Sequence, residues 1–288
     1  MSTPRTIGRV EEKVRLGPDA QVDDKAVIIM PRDPRATDPF LMMAEDWFSE
    51  PGFEWHPHRG IETVTTVLDG VLEHGDNAGN AGALQRGDIQ WMTAGKGIIH
   101  RELAFRNEHA HTLQLWLNLP ASRKMGATAY QDLRAEGRAR VESAGVSIDV
   151  VSGTVGTTSG PARNQHPIQG CIITLDPGAT LEYGLPGDHR AFLYVLDGAA
   201  SIAGRAVTHG QVGWSDPVAG GSSRLAVTST AHDGRTRVMA YSGRPLREPV
   251  VMGGPFVMNS RAQIEAAYRD YRSGRFGSVP RLARLTRA

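Results

Sequence analysis

The chain has 288 residues, 33 of them glycine and 17 proline, which suits two moderate domains of many short strands and turns rather than a helical bundle. Its 31 acidic and 32 basic residues nearly cancel, leaving no strong field to draw in nucleic acid or an anionic membrane surface. The stretch up to Val10 lacks the apolar run of a secretory signal, no later segment approaches a membrane span, and the single cysteine, Cys171, can form no internal disulfide and belongs to no Cys-based metal motif. A soluble, cytoplasmic protein is expected, with any metal held by histidine and carboxylate.

Taken in order, residues 27–30 and 40–48 are apolar but irregular, consistent with short strands. Clear alternation begins at 63–68, returns at 89–92, and runs through 112–119, where Leu113, Leu115, Leu117 and Leu119 take one face. Turns fall at Asp69-Gly70, at 76–82 and at Arg86-Gly87-Asp88. Residues 153–167, rich in Gly, Ser and Thr, read as an exposed loop near a domain connection. The boundary is placed between 140 and 165, giving an N-terminal metal-binding domain over 1–150 and a degenerate second domain over 151–288.

The second half repeats the first in outline. Phe-Leu-Tyr-Val-Leu-Asp-Gly at 192–198 matches Val-Thr-Thr-Val-Leu-Asp-Gly at 64–70, and Gly210 to Trp214 follows it much as Gly87 to Trp91 follows the first segment. Duplication of one β-barrel unit explains both matches. Near the end, Ser260 and Gln263 have capping-box spacing, and Ile264, Ala267, Tyr268 and Tyr271 recur at helical intervals. They predict a short helix ending near Gly274, counted with the second domain. Beyond it, Arg281, Arg284 and Arg287 lie in a basic tail that reads as a solvated terminus.

His56-Pro57-His58 places two imidazoles on one side of a strand, because alternate residues share a side. With 10 histidines in the chain such a pair is weak evidence alone, and His109 and His111 form another. A second same-face pair, His100 and Glu102, follows the strand at 89–92 and the loop Thr93-Ala94-Gly95-Lys96-Gly97. Two such pairs on facing strands complete four ligands. Three neutral imidazoles and a carboxylate leave one or two positions open on a metal that takes five or six ligands, which suits Fe(II), Mn, Co, Ni or Cu better than a closed structural zinc. Glu62 shares strand parity with the first pair and reads as an acceptor fixing an imidazole tautomer, with a further ligand as the alternative.

The run from His56-Pro57-His58-Arg59-Gly60-Ile61-Glu62-Thr63-Val64, then from Gly87-Asp88-Ile89-Gln90-Trp91-Met92 to His100, closely resembles the pirin family. The similarity continues through 113–120 and Tyr130-Gln131-Asp132 and resumes at 245–250 and 254–259. It implies an all-β bicupin: two jelly-roll barrels face to face, with a short C-terminal helix. It also implies one divalent metal in the N-terminal barrel, Fe(II) first and Mn, Co, Ni, Cu or Zn as alternatives, on His56, His58, His100 and Glu102. The family's usual residue between the last two ligands is serine, where this chain has Arg101, turned away from the metal by strand parity. Aligning the repeats places Gly184 and Pro186 opposite His56 and His58, and Arg190 opposite Glu62, so no second metal is expected. His189, His209, His166, His232, His74, His109 and His111 read as surface or hydrogen-bonding residues, and Trp91, Met92 and Trp116 as core or pocket wall.

The resemblance implies quercetin 2,3-dioxygenase activity, opening a flavonol ring with O2 and releasing carbon monoxide, with Glu102 as both ligand and base. The alternative is a non-enzymatic, redox-sensitive iron-binding regulator acting through protein contacts. A third reading, a metal-free sugar or small-molecule binder, requires the four ligands to be accidental. A monomer is expected, since two barrels can cover each other's edges.

Overall fold

A computed structural model describes residues 2–49 and 52–279, so Arg281, Arg284 and Arg287 lie outside the described residues. The chain divides into two units, one of Arg15–Ala135 with Leu246–Ala288 and the other of Met1–Val14 with Glu136–Pro245.

In the first unit the principal strands are β1 (Asp24–Ile29), β2 (Phe40–Phe48), β3 (Phe53–His58), β4 (Ile61–Asp76), β5 (Ala81–Gln85), β6 (Ile89–Thr93), β7 (Ile98–Ala104), β8 (Ala110–Asn118) and β9 (Ala129–Leu133). One antiparallel layer runs β9-β6-β4-β8-β2-β1. The 16-residue β4 belongs to two layers, because its first half pairs with β6 and β8 and its second half with β5 and β7. It changes layer at Gly70, whose φ is +74°; a Cβ there would stand 1.9 Å from the His109 carbonyl oxygen, so a side chain is excluded. Strand alternation sets the packing. Leu113, Leu115 and Leu117 are buried on one face of β8, while Ile61, Met92, Ala94 and Ile98 form a cluster with Leu41 and Val257. Each such fully buried side chain contributes roughly 1.5–3 kcal/mol.

The second unit contains β10 (Val146–Ser152), β11 (Ile168–Leu175), β12 (Thr180–Pro186), β13 (Arg190–Asp197), β14 (Gln211–Ser215), β15 (Ser222–Ser229) and β16 (Thr236–Gly243). One layer runs β10-β11-β16-β13-β14, and β12 pairs with β15 in the other. The predicted duplication appears in the register: Val64 faces Trp91 across β4 and β6, as Phe192 faces Trp214 across β13 and β14. Cys171 is sealed among Val150, Ile173 and Tyr183, and burial pushes its thiol up to about 12, so it is inert.

The C-terminal segment forms a ribbon of β17 (Val251–Gly253) and β18 (Phe256–Met258) and then the helix α1 (Arg261–Arg272). The predicted N-cap is present: Ser260 Oγ accepts from the Gln263 amide at 3.3 Å, while Gln263 Oε1 reaches one residue further back and accepts from the Asn259 amide at 2.9 Å. The apolar residues Ile264 and Ala267 of α1 cluster with Ile99, Phe256, Met258 and Phe276. Arg59 reinforces this attachment by pairing with Asp270 at 2.9 Å and lying over the Phe276 ring.

Candidate metal centre

Strands β3 and β7 are antiparallel, and His100 lies directly opposite His56 in register. His58, two residues on, projects to the same side as His56. The rings converge: centroids are 4.3 Å apart for His56 and His100, 5.0 Å for His58 and His100, and 5.0 Å for His56 and His58. One ring nitrogen from each of the three lies within 4.8 Å of the others. His58 and His100 are each 2% exposed, while His56 is half-buried.

The hydrogen bonds orient these rings. His56 Nδ1 lies 2.7 Å from the Glu54 carbonyl oxygen and His58 Nδ1 lies 3.2 Å from that of Pro255. A carbonyl only accepts, so both Nδ1 atoms carry a proton, which in a neutral ring leaves the lone pair on Nε2. The Nε2 atoms of His58 and His100 are buried without a hydrogen-bond partner among the described residues. Such orphans are costly in a protein interior. Burial, with His56 nearby, pushes His58 down to about 3 and His100 well below the usual imidazole range, so both are neutral, the form that ligates. Three inward imidazoles, two of them neutral with unpartnered lone pairs, fit a transition-metal ion.

Of the four predicted ligands, the convergent group contains His56, His58 and His100. Glu102 is buried nearby on β7, but the register shifts between His100 and Glu102, a bulge that sets Glu102 opposite Phe53. Its carboxylate accepts from Thr65 Oγ1 at 2.8 Å and from Gln114 Nε2 at 2.5 Å. Sequence reasoning missed Thr65 and Gln114; their signal was a polar residue at an inward position of an alternating strand. Glu62 takes a different place from the expected one. A left-handed turn at Gly60, φ +83°, separates β3 from β4 and resets the alternation, so Glu62 accepts from Thr93 Oγ1 at 2.7 Å, and backbone carbonyls orient His56 and His58.

Arg101 does turn from the cluster. Its Nη2 pairs with Glu73 Oε1 at 2.8 Å, and its guanidinium lies over the Trp55 ring. Trp116 stands edge-on to His58 with ring centroids 5.1 Å apart, and its indole N–H donates to Gln114 Oε1. Trp91 and Met92 are fully buried. The other histidines make local contacts: His109 with Asp69, His111 with Glu45, and His74 with Tyr130 and Asp132. In the second unit, His166, His189 and His209 bond to the Arg244 carbonyl, Ser242 Oγ and the Leu196 carbonyl. Gly184 and Pro186 fall on β12, and Arg190 pairs with Asp216. No second group of metal-ligating side chains occurs among the described residues, and none of their helices is long and apolar enough to cross a membrane.

Two β-barrel units, one carrying an inward three-histidine cluster, define a bicupin with one candidate metal centre. The family model for pirin matches residues 27–117, and that for the pirin C-terminal cupin domain matches residues 171–277. A Pseudomonas aeruginosa protein provisionally named quercetin 2,3-dioxygenase is 38% identical over 262 residues, covering 84% of this chain and 87% of that one. Pirin-1 of Arabidopsis thaliana is 37% identical over 246 residues, 85% of each. The crystal structure of a quercetin 2,3-dioxygenase from Acinetobacter baumannii superposes with a TM-score of 0.85 at 27% identity, covering 96% of this chain and 99% of that one. The chain belongs to the pirin family.

Proposed function

We propose that this chain is a metal-dependent dioxygenase of the quercetin 2,3-dioxygenase type, holding one divalent transition metal on His56, His58 and His100 with Glu102 as the fourth ligand. The carrying observation is the convergence of three imidazoles, two of them with buried, unpartnered Nε2 atoms. Iron is the first choice within the group that this donor set suits. When bound, such an ion supplies a Lewis acid with open coordination positions. The names of the Pseudomonas and Acinetobacter relatives support a flavonol as substrate.

The residues of the chain divide the remaining work. Thr65 and Gln114 hold the Glu102 carboxylate in one orientation, where it accepts the proton of the flavonol 3-hydroxyl. Trp116, edge-on to His58, offers an apolar wall for a flat ring beside the histidines. The β7 and β3 backbones fix the imidazoles, so little reorganisation accompanies substrate entry. The test is metal analysis of the purified protein together with aerobic incubation with quercetin. Near-stoichiometric metal, bleaching of the flavonol absorbance and carbon monoxide release are expected. Metal-loaded protein inert with iron, manganese, cobalt, nickel and copper refutes the activity.

A further inference from the structure

The histidines are not the only unsatisfied polar groups on the inner face of the first barrel. Gln90 is 1% exposed and both Nε2 and Oε1 of its amide lack a hydrogen-bond partner; Thr63 is 0% exposed and its Oγ1 lacks one too. Register places both on the face that meets the metal centre. Gln90 lies opposite Thr65, and Thr65 lies opposite Gln114; Thr65 and Gln114 are the two residues that bond Glu102. Thr63 lies between Met92 and Trp116 in the adjacent row, and Trp116 contacts His58. Cross-strand partners point to the same side of a sheet, so Gln90 and Thr63 share the side of Glu102 and His58.

A buried amide with neither end satisfied destabilises the fold unless a ligand fills it. Its chemistry specifies the ligand. The amide donates through Nε2 and accepts through Oε1 side by side, which matches the two adjacent hydroxyls of a catechol. Neither Gln90 nor Thr63 is charged, so the preferred group is neutral rather than carboxylate or phosphate, and Met92 and Trp116 supply apolar flanks for its ring. We infer that Gln90 and Thr63 form a recognition subsite, separate from the metal ligands, for vicinal oxygens on an aromatic ring. This rests on the flavonol reading above and assigns the residues that select among such substrates.

The test uses the full chain with Gln90→Met and Thr63→Val, near-isosteric replacements that remove the unpartnered atoms. Binding of quercetin under anaerobic conditions, and of 4-methylcatechol to metal-free protein, is followed by titration. Each variant is expected to bind both probes about tenfold more weakly, for loss of one or two neutral hydrogen bonds. 3-Hydroxyflavone, which has no catechol, changes less than twofold. Without ligand, both variants melt at or above the wild-type temperature, since an unsatisfied polar group has been removed. Variants that melt lower while binding quercetin as the wild type does overturn the inference, as does wild-type protein that binds neither quercetin nor 4-methylcatechol. Catechol binding lost in the variants, in a protein that never turns quercetin over, refutes the dioxygenase reading and leaves the subsite standing.

Discussion

Replacing Arg101 by serine, the residue the family resemblance implies there, removes one half of a buried ion pair. The Arg101 side chain is 12% exposed and that of Glu73 is 1%, with Nη2 and Oε1 2.8 Å apart. An exposed pair contributes about 0–1 kcal/mol, whereas removing one partner of a buried pair costs about 3–5 kcal/mol, because the remaining charge stays desolvated. Arg101→Ser is therefore expected to lower stability by about 3 kcal/mol. Adding Glu73→Gln, which removes the stranded charge, should recover much of the loss. Urea unfolding of the four proteins measures these differences. Metal content should not change, since the Arg101 side chain leaves β7 on the side away from His100. A loss under about 1 kcal/mol refutes the buried-pair argument.

Two further outcomes follow from buried charge in the first unit. Burial, opposed by Lys25 at 3.8 Å and reinforced by Glu102, raises the Asp46 carboxyl to about 7. Between pH 4 and 7 the folded chain then holds a proton that the unfolded chain releases, so this group makes stability fall as pH rises through that window. Asp46→Asn should flatten the fall and leave the variant more stable than wild type at pH 8; identical urea midpoints at pH 5 and pH 8 for the pair would contradict this. Lys124 is 1% exposed and donates to the Gly60 carbonyl at 2.7 Å, Asn118 Oδ1 at 2.6 Å and the Val257 carbonyl at 2.9 Å. Lys124→Met leaves three acceptors unmatched and should cost about 3 kcal/mol. It should also lower metal occupancy, because Val257 lies two residues past Pro255, whose carbonyl orients His58; unchanged unfolding and metal content would refute the clamp.

The three inward histidines were legible as residues because strand parity sets the side to which each points. Alternation carries His56 and His58 to one side, and the antiparallel pairing of β3 with β7 sets His100 opposite His56. The repeat was legible in its local pattern, and its second copy visibly lacks the ligands at Gly184 and Pro186. The helix α1 was marked by Ser260, Gln263 and its apolar spacing, all within one turn or two of each other. Glu62 was misjudged at a local feature too: parity counted across Gly60 assumes one continuous strand, and the left-handed turn there breaks it.

Residue types and short-range periodicity determined the strand pattern, the inward histidines and the chemistry they can support, since each depends on neighbours a few positions apart. Tertiary structure alone decided which groups complete the site. The carbonyl orienting His58 comes from Pro255, the partner of Arg59 from Asp270, and the amide holding Glu102 from Gln114 on another strand. It also decided that α1 packs against Ile99 and Phe256 and that Gln90 and Thr63 are buried with unsatisfied polar atoms. Satisfaction of a buried polar group depends on every atom within about 3 Å of it. Those atoms are gathered by folding from positions that no local pattern links.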